Sequence, residues 1–78
     1  MSAELLEYLA RQLVDEPDAV RVERTEDEEG ALVLQLHVAD DDVGKVIGRH
    51  GRVVRALRTV VRASAGGEGR RVLVEIAG

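Results

Sequence analysis

Seventy-eight residues without a cysteine make a single domain, residues 1–78, with a thin core, and exclude disulfide staples and thiolate zinc sites. The net charge of −4 hides a division: residues 1–42 hold thirteen acidic and three basic residues, residues 43–78 two acidic and eight basic, or −10 against +6. One aromatic side chain, Tyr8, excludes a nucleic-acid surface built on stacking platforms.

In chain order, residues 3–14 read as a helix that Ser2 can cap, with Leu5, Leu6, Leu9 and Leu13 recurring on one face. Pro17 pushes the residue before it out of the helical region, and a first strand is expected from Ala19 to Thr25 on the alternation of Val20 and Val22. The acidic run Glu26 to Glu29 and Gly30 connect it, as a hairpin, to a second strand from Ala31 to Val38. There Leu32, Leu34, Leu36 and Val38 share a face, as in a sheet covered on one side. Asp40, Asp41 and Asp42 read as a turn and N-cap for a two-turn helix carrying Val43, Val46 and Ile47. Gly48 stops that helix. The longest helix runs from Arg52 to Ala65, with Val54, Leu57, Val60 and Val61 on one side and Arg55, Arg58 and Arg62 on the other. Gly66-Gly67-Glu68-Gly69 breaks it, and Arg70 to Ile76 makes the last strand. The order α-β-β-α-α-β predicts an α+β fold: a three-stranded mixed sheet, its last strand returning by a helical crossover, packed on three helices.

Gly48-Arg49-His50-Gly51 carries the chemistry. Phosphates approach a backbone closely only where no Cβ intervenes, and the turn opens onto the positive end of the following helix. A bare pair of glycines at this spacing is usually a tight helix–helix turn. Here an apolar pair, Val46-Ile47, precedes it, basic Arg52 and Arg55 follow, and no acidic residue occurs from Val43 to Gly67. Phosphate binding is therefore the expectation. Arg58 and Arg62 fit a solvated helix face as well as a phosphate track, and Lys45 reaches either a phosphate or open solvent. Val43, Val46 and Ile47 offer apolar contact to bases, with most of their area expected in the core. Gly44 allows close packing or close approach of a base, and both readings stay open.

The stretch Asp42-Val43-Gly44-Lys45-Val46-Ile47-Gly48-Arg49-His50-Gly51-Arg52, with its IGxxG loop, resembles the KH domain in its prokaryotic, type II arrangement. Continued through Ala56-Leu57-Arg58-Thr59-Val60-Val61, it more specifically resembles the small bacterial KH-domain protein A family, over nearly the whole chain. The resemblance implies about four nucleotides of single-stranded RNA held in a groove between the short helix with its loop and the exposed edge of a strand. It carries over Gly48 and Gly51 as the loop glycines and Arg49 and His50 as their variable pair; with Gly44, Lys45, Val46, Ile47, Arg52 and Arg55, read above from the residues themselves, they make up the candidate RNA-binding set. A lysine is common in the family where Arg49 stands; arginine keeps the charge and adds a planar fork. The resemblance further implies self-association, pairing with a Jag-type KH-domain protein B, and a chaperone or post-transcriptional role linked to envelope growth and division.

Catalytic readings find little support. Gly44-Lys45 is not a P-loop, since Val46 stands where Ser or Thr is required. His37 and His50 lack ligand spacing, and adjacent aspartates at a helix start read as caps. No cofactor, metal, membrane span or small-molecule substrate is expected, and acidic Glu4 and Glu7 are unlike a signal peptide, which places the chain in the cytoplasm. The alternative function is a protein-interaction or dimerisation module with little intrinsic RNA binding.

Overall fold

The computed structural model describes residues 2–65 and 69–77; the break expected at Gly66, Gly67 and Glu68 lies outside them. Six main elements follow the expected order: α1 (Ser2–Leu13), β1 (Arg21–Glu26), β2 (Leu32–His37), α2 (Val43–Ile47), α3 (Arg52–Ser64) and β3 (Val72–Ala77). Short 3₁₀ turns at Pro17–Ala19, Asp40–Asp42 and Arg49–Gly51 link them. This is the α+β, type II KH arrangement. Boundaries move by two residues at most, and β1 shows why: Val20 N–H donates to Pro17 C=O at 3.1 Å, closing a turn that delays the strand to Arg21. Proline suits the first position of such a turn because it has no N–H to lose. Ser2 does not stand outside α1 as a cap; it is the first helical residue described and is buried.

β2 occupies the centre of the sheet, antiparallel to β1 and parallel to β3. The register places Leu36 opposite Val22 and Ile76, and Leu34 opposite Val74, so one apolar face is continuous across the strands. Leu6 and Ala10 of α1, Val46 of α2 and Leu57 and Val61 of α3 close over Leu34 and Leu36. Burying a leucine or valine completely contributes roughly 1.5–3 kcal/mol, and these few side chains are most of what a chain this short can gather.

α3 is the element through which the core reaches the functional loop. Its buried stripe is Val54, Leu57 and Val61. Val60, expected on that stripe, is instead 46% exposed, because α1 and the sheet cover only the other side of the turn. Arg62 near its end reaches the start of β3 and Arg58 the middle, so α3 runs antiparallel to β3. The glycine loop therefore lies toward the Ala77 end of the strand. The acidic hairpin loop sits at the opposite end of the sheet, where Arg70 pairs with Glu26 at 2.8 Å.

Candidate nucleic-acid interface

The loop joining α2 to α3 is built from backbone conformations that few residues adopt. Gly48 has φ 75° and ψ 169°, a region essentially reserved for glycine. A Cβ there would lie 2.4 Å from Val53 Cγ2 and 2.9 Å from the Val53 nitrogen. Gly51 is left-handed at φ 73°, and so is His50 at φ 58°, a conformation histidine tolerates better than most side chains. Gly48 N–H closes α2 onto Gly44 C=O at 2.9 Å, and Gly51 N–H returns to Gly48 C=O at 3.1 Å. The chain thus reverses within four residues and delivers the start of α3. Among the described residues no side chain caps that thirteen-residue helix; the Arg52 N–H returns to Arg49 C=O, and the positive end of the helix dipole lies at the loop.

Exposure sorts the predicted residues. Arg49 and His50 are exposed on the turn. Arg55 lies close behind it, its Nη1 3.8 Å from where a Gly51 Cβ would be. Ile47 is 36% exposed, whereas Val46 is fully buried. Most of Ile47 is thus buried as expected, with part left open to a base, whereas Val46 belongs to the core and its side chain is removed from any such contact. A Cβ on Gly44 would meet nothing within 4 Å, so packing does not explain this glycine and an open surface beside α2 does. Arg52 leans to the other shoulder of α3, where with Leu13, Val53, Ala56, Leu57 and Val60 it borders an apolar surface.

Lys45 and Asp42 tie the start of α2 to the segment after α1. Asp42 occupies the N-cap position of α2 yet caps nothing there. Its carboxylate, 1% exposed, accepts N–H bonds from Asp15 (3.2 Å) and Glu16 (3.1 Å). Lys45 donates to Asp42 at 3.2 Å and also to Asp15, so the segment after α1 is stitched to the start of α2 and the lysine ammonium is engaged by two carboxylates. Burial pushes the Asp42 carboxyl up, but the Asp15 and Glu16 N–H groups and Lys45 outweigh it and hold it below the ordinary aspartate value. Asp15 first, then Asp42, raise Lys45. A lowered carboxyl contributes stability that is complete above its unfolded value, about pH 4, and is lost as pH falls through the folded one. Circular dichroism melts are therefore expected to show the midpoint falling below about pH 4. Asp42→Asn lowers the midpoint at neutral pH, because an amide turns N–H toward a donor, and it reduces the acid slope; an unchanged slope would leave the network idle.

Two arginines left ambiguous by the sequence have a definite place. Arg58 Nε donates to Val74 C=O at 3.2 Å and Arg62 Nε to Val72 C=O at 3.3 Å, so this face of α3 lies against β3 and is not simply solvated. Arg62, Arg70, Arg71 and Val72 line a cleft of about 480 Å³ at the start of β3. Arg70 and Arg71 went unassigned as site residues because only the return of β3 alongside α3 brings them to Arg62.

Comparison with known proteins agrees with this geometry. Residues 3–76 match the family described as KhpA/KhpB, KH domain. The chain is 53% identical over 76 residues to RNA-binding protein KhpA of Treponema pallidum, covering 97% of this chain and 94% of the relative. To RNA-binding protein KhpA of Streptomyces coelicolor it is 52% identical over 77 residues, covering 97% and 95%. Among solved structures, Aquifex aeolicus Era bound to GDP.AlF4- superposes with a TM-score of 0.62 at 21% identity, over 96% of this chain. Era in complex with MgGDPNP and nucleotides 1506-1542 of 16S ribosomal RNA gives the same TM-score and identity over 96% of this chain. This chain spans under a third of either, 29% and 28%, and the likeness is one of fold. Among the described residues no helix is long and apolar enough to cross a membrane.

Proposed function

The chain belongs to the KhpA/KhpB KH-domain family, and we propose that it is a non-catalytic cytoplasmic protein that holds about four nucleotides of single-stranded RNA. One observation carries the reading: a thirteen-residue helix, uncapped by any side chain, opens behind two glycines of positive φ. Its N–H groups receive a phosphate. Arg49, His50 and Arg55 supply charge around it, and Ile47 and the open face at Gly44 receive a base; Arg52 lies toward the apolar shoulder of α3 and Lys45 is held by Asp15 and Asp42. The name of the KhpA relatives as RNA-binding proteins supports the same conclusion. The proposed role is that of an RNA chaperone or post-transcriptional regulator in envelope growth and division.

A clamp of this size engages few phosphates. With about three contacts, log K falls against log salt with a slope near −2, at roughly −0.7 per phosphate of a single strand. Titration by fluorescence anisotropy across salt concentrations measures it, and binding that ignores salt would sink the electrostatic account.

A second reading has its own observation. Val53, Ala56 and Val60 are spaced three and four apart along the shoulder of α3 away from Arg58, and with Leu13 they leave an apolar surface open. The spacing is that of a helix seam, and the small side chains allow a symmetric approach of two helices. We propose that a second copy of this chain packs there, a geometry that a Jag-type KH-domain protein B can share. Light scattering is expected to give a dimer for the native protein and a monomer for Val60→Asp; a native monomer at all concentrations would remove this reading.

A further inference from the structure

A second concentration of positive charge lies at the far end of α3 from the glycine loop. Arg62, Arg70 and Arg71 line the cleft of about 480 Å³ between the last turns of that helix and the start of β3, and no carboxylate belongs to its lining. Arg70 pairs with Glu26 at 2.8 Å, an exposed contact of the kind that contributes little and that salt screens. Glu29 borders the adjoining surface with Arg70 and Arg71. Among the described residues, Arg62 and Arg71 make no ion pair. Like charges held along one cleft repel one another, and the repulsion is relieved when an anion enters.

Arg62 is the anchored member of the group. Its Nε donates to Val72 C=O at 3.3 Å, which leaves both Nη groups for another partner. Arg58 is tied to Val74 C=O in the same way, and Arg55 lies behind the glycine loop. Arg55, Arg58 and Arg62 are spaced three and four apart and share one face of α3. At 1.5 Å per residue they span roughly 10 Å, and α3 carries no acidic residue to interrupt them. This line joins the phosphate loop to the cleft. An acidic protein segment in the cleft alone would leave the line unused; a polyanion that already occupies the loop uses all of it.

We infer that the cleft of Arg62, Arg70 and Arg71 is a second phosphate site, which takes the backbone of the same single strand beyond the nucleotides held at the glycine loop. Guanidinium groups meet phosphate oxygens through paired N–H donors. The inference rests on the RNA-binding reading above and deepens it, because the strand is then held at both ends of α3.

The test is the salt dependence of binding, read by fluorescence anisotropy with labelled uridine tetramers and dodecamers. A tetramer reaches the loop alone and is expected to give its slope of about −2. A dodecamer that also places about two phosphates in the cleft is expected to steepen the slope to about −3.5. Equal slopes for the two strands overturn the inference, and this comparison requires no variant to fold. Arg70→Gln with Arg71→Gln removes two exposed charges from the cleft and is expected to return the dodecamer to about −2 while the tetramer keeps its slope. Arg21→Gln with Arg24→Gln removes the same charge from exposed positions of β1 and is expected to leave both slopes in place. A dodecamer slope that survives the cleft substitutions, or that falls equally in both variants, overturns the assignment. Failure of both strands to bind sinks the RNA reading itself, whereas binding with equal slopes sinks only the second site.

Discussion

Gly48→Ala is expected to lower the thermal midpoint by roughly 15 °C, about 3 kcal/mol for a domain of this size, while Gly51→Ala costs only about 1 kcal/mol and 5 °C. In sequence the two glycines are equivalent halves of one motif. In the fold they are not. At Gly48 the backbone occupies a region closed to alanine, and the added methyl meets Val53 Cγ2 at 2.4 Å and the Val53 nitrogen at 2.9 Å. The second contact is with backbone, which cannot swing away, so relief requires moving the first turn of α3. At Gly51 the conformation is left-handed, but the nearest atoms, in Arg55 and Val54, are 3.8 Å from the new methyl. Only the conformational penalty remains there. Circular dichroism melts measure both; equal losses at the two sites, or a Gly48→Ala midpoint within a few degrees of the native one, would show that the loop is not held as described.

Replacing Arg49 and His50 together by aspartate is expected to reduce single-stranded RNA binding by roughly a hundredfold or more at low salt while the fold persists. Both side chains are exposed, so neither substitution disturbs the core. His50 sits at φ 58°, and aspartate is among the residues that enter the left-handed region most readily. The loss therefore reports charge and not collapse. Two carboxylates beside the open end of α3 would fill its dipole with the wrong partner and repel phosphate. A mobility-shift titration paired with circular dichroism checks this. Retained binding by a folded variant would refute the clamp, and a lost circular dichroism signal would refute the tolerance claimed for the turn.

Much of this architecture was legible before any coordinates. Alternation marked β1, β2 and β3, and helical spacing marked α1 and α3, because each pattern reflects one face meeting the core. The loop was equally plain, since the need for glycine at a tight reversal is local. Val60 was misplaced because periodicity reports which side of a helix is apolar, not how far its neighbours extend over it. Val46 and Ile47 carry the same expectation, and only the fold separates them: they are adjacent in a five-residue helix, which buries Val46 and leaves Ile47 partly exposed.

Asp42 itself looked like a cap because capping is the common use of aspartate at a helix start. Its actual partners, the N–H groups of Asp15 and Glu16, lie 27 and 26 residues away. Arg58 and Arg62 were harder still. Their partners are backbone carbonyls, which carry no residue identity at all. The type of each element and the place of the phosphate loop follow from short-range sterics and hydrophobic period, which are written into neighbouring residues. Which charges are spent on holding the fold, and which remain for a strand of RNA, follows from pairings between distant segments. Those pairings exist only once α3 lies against the edge of β3 and the end of α1 meets the start of α2.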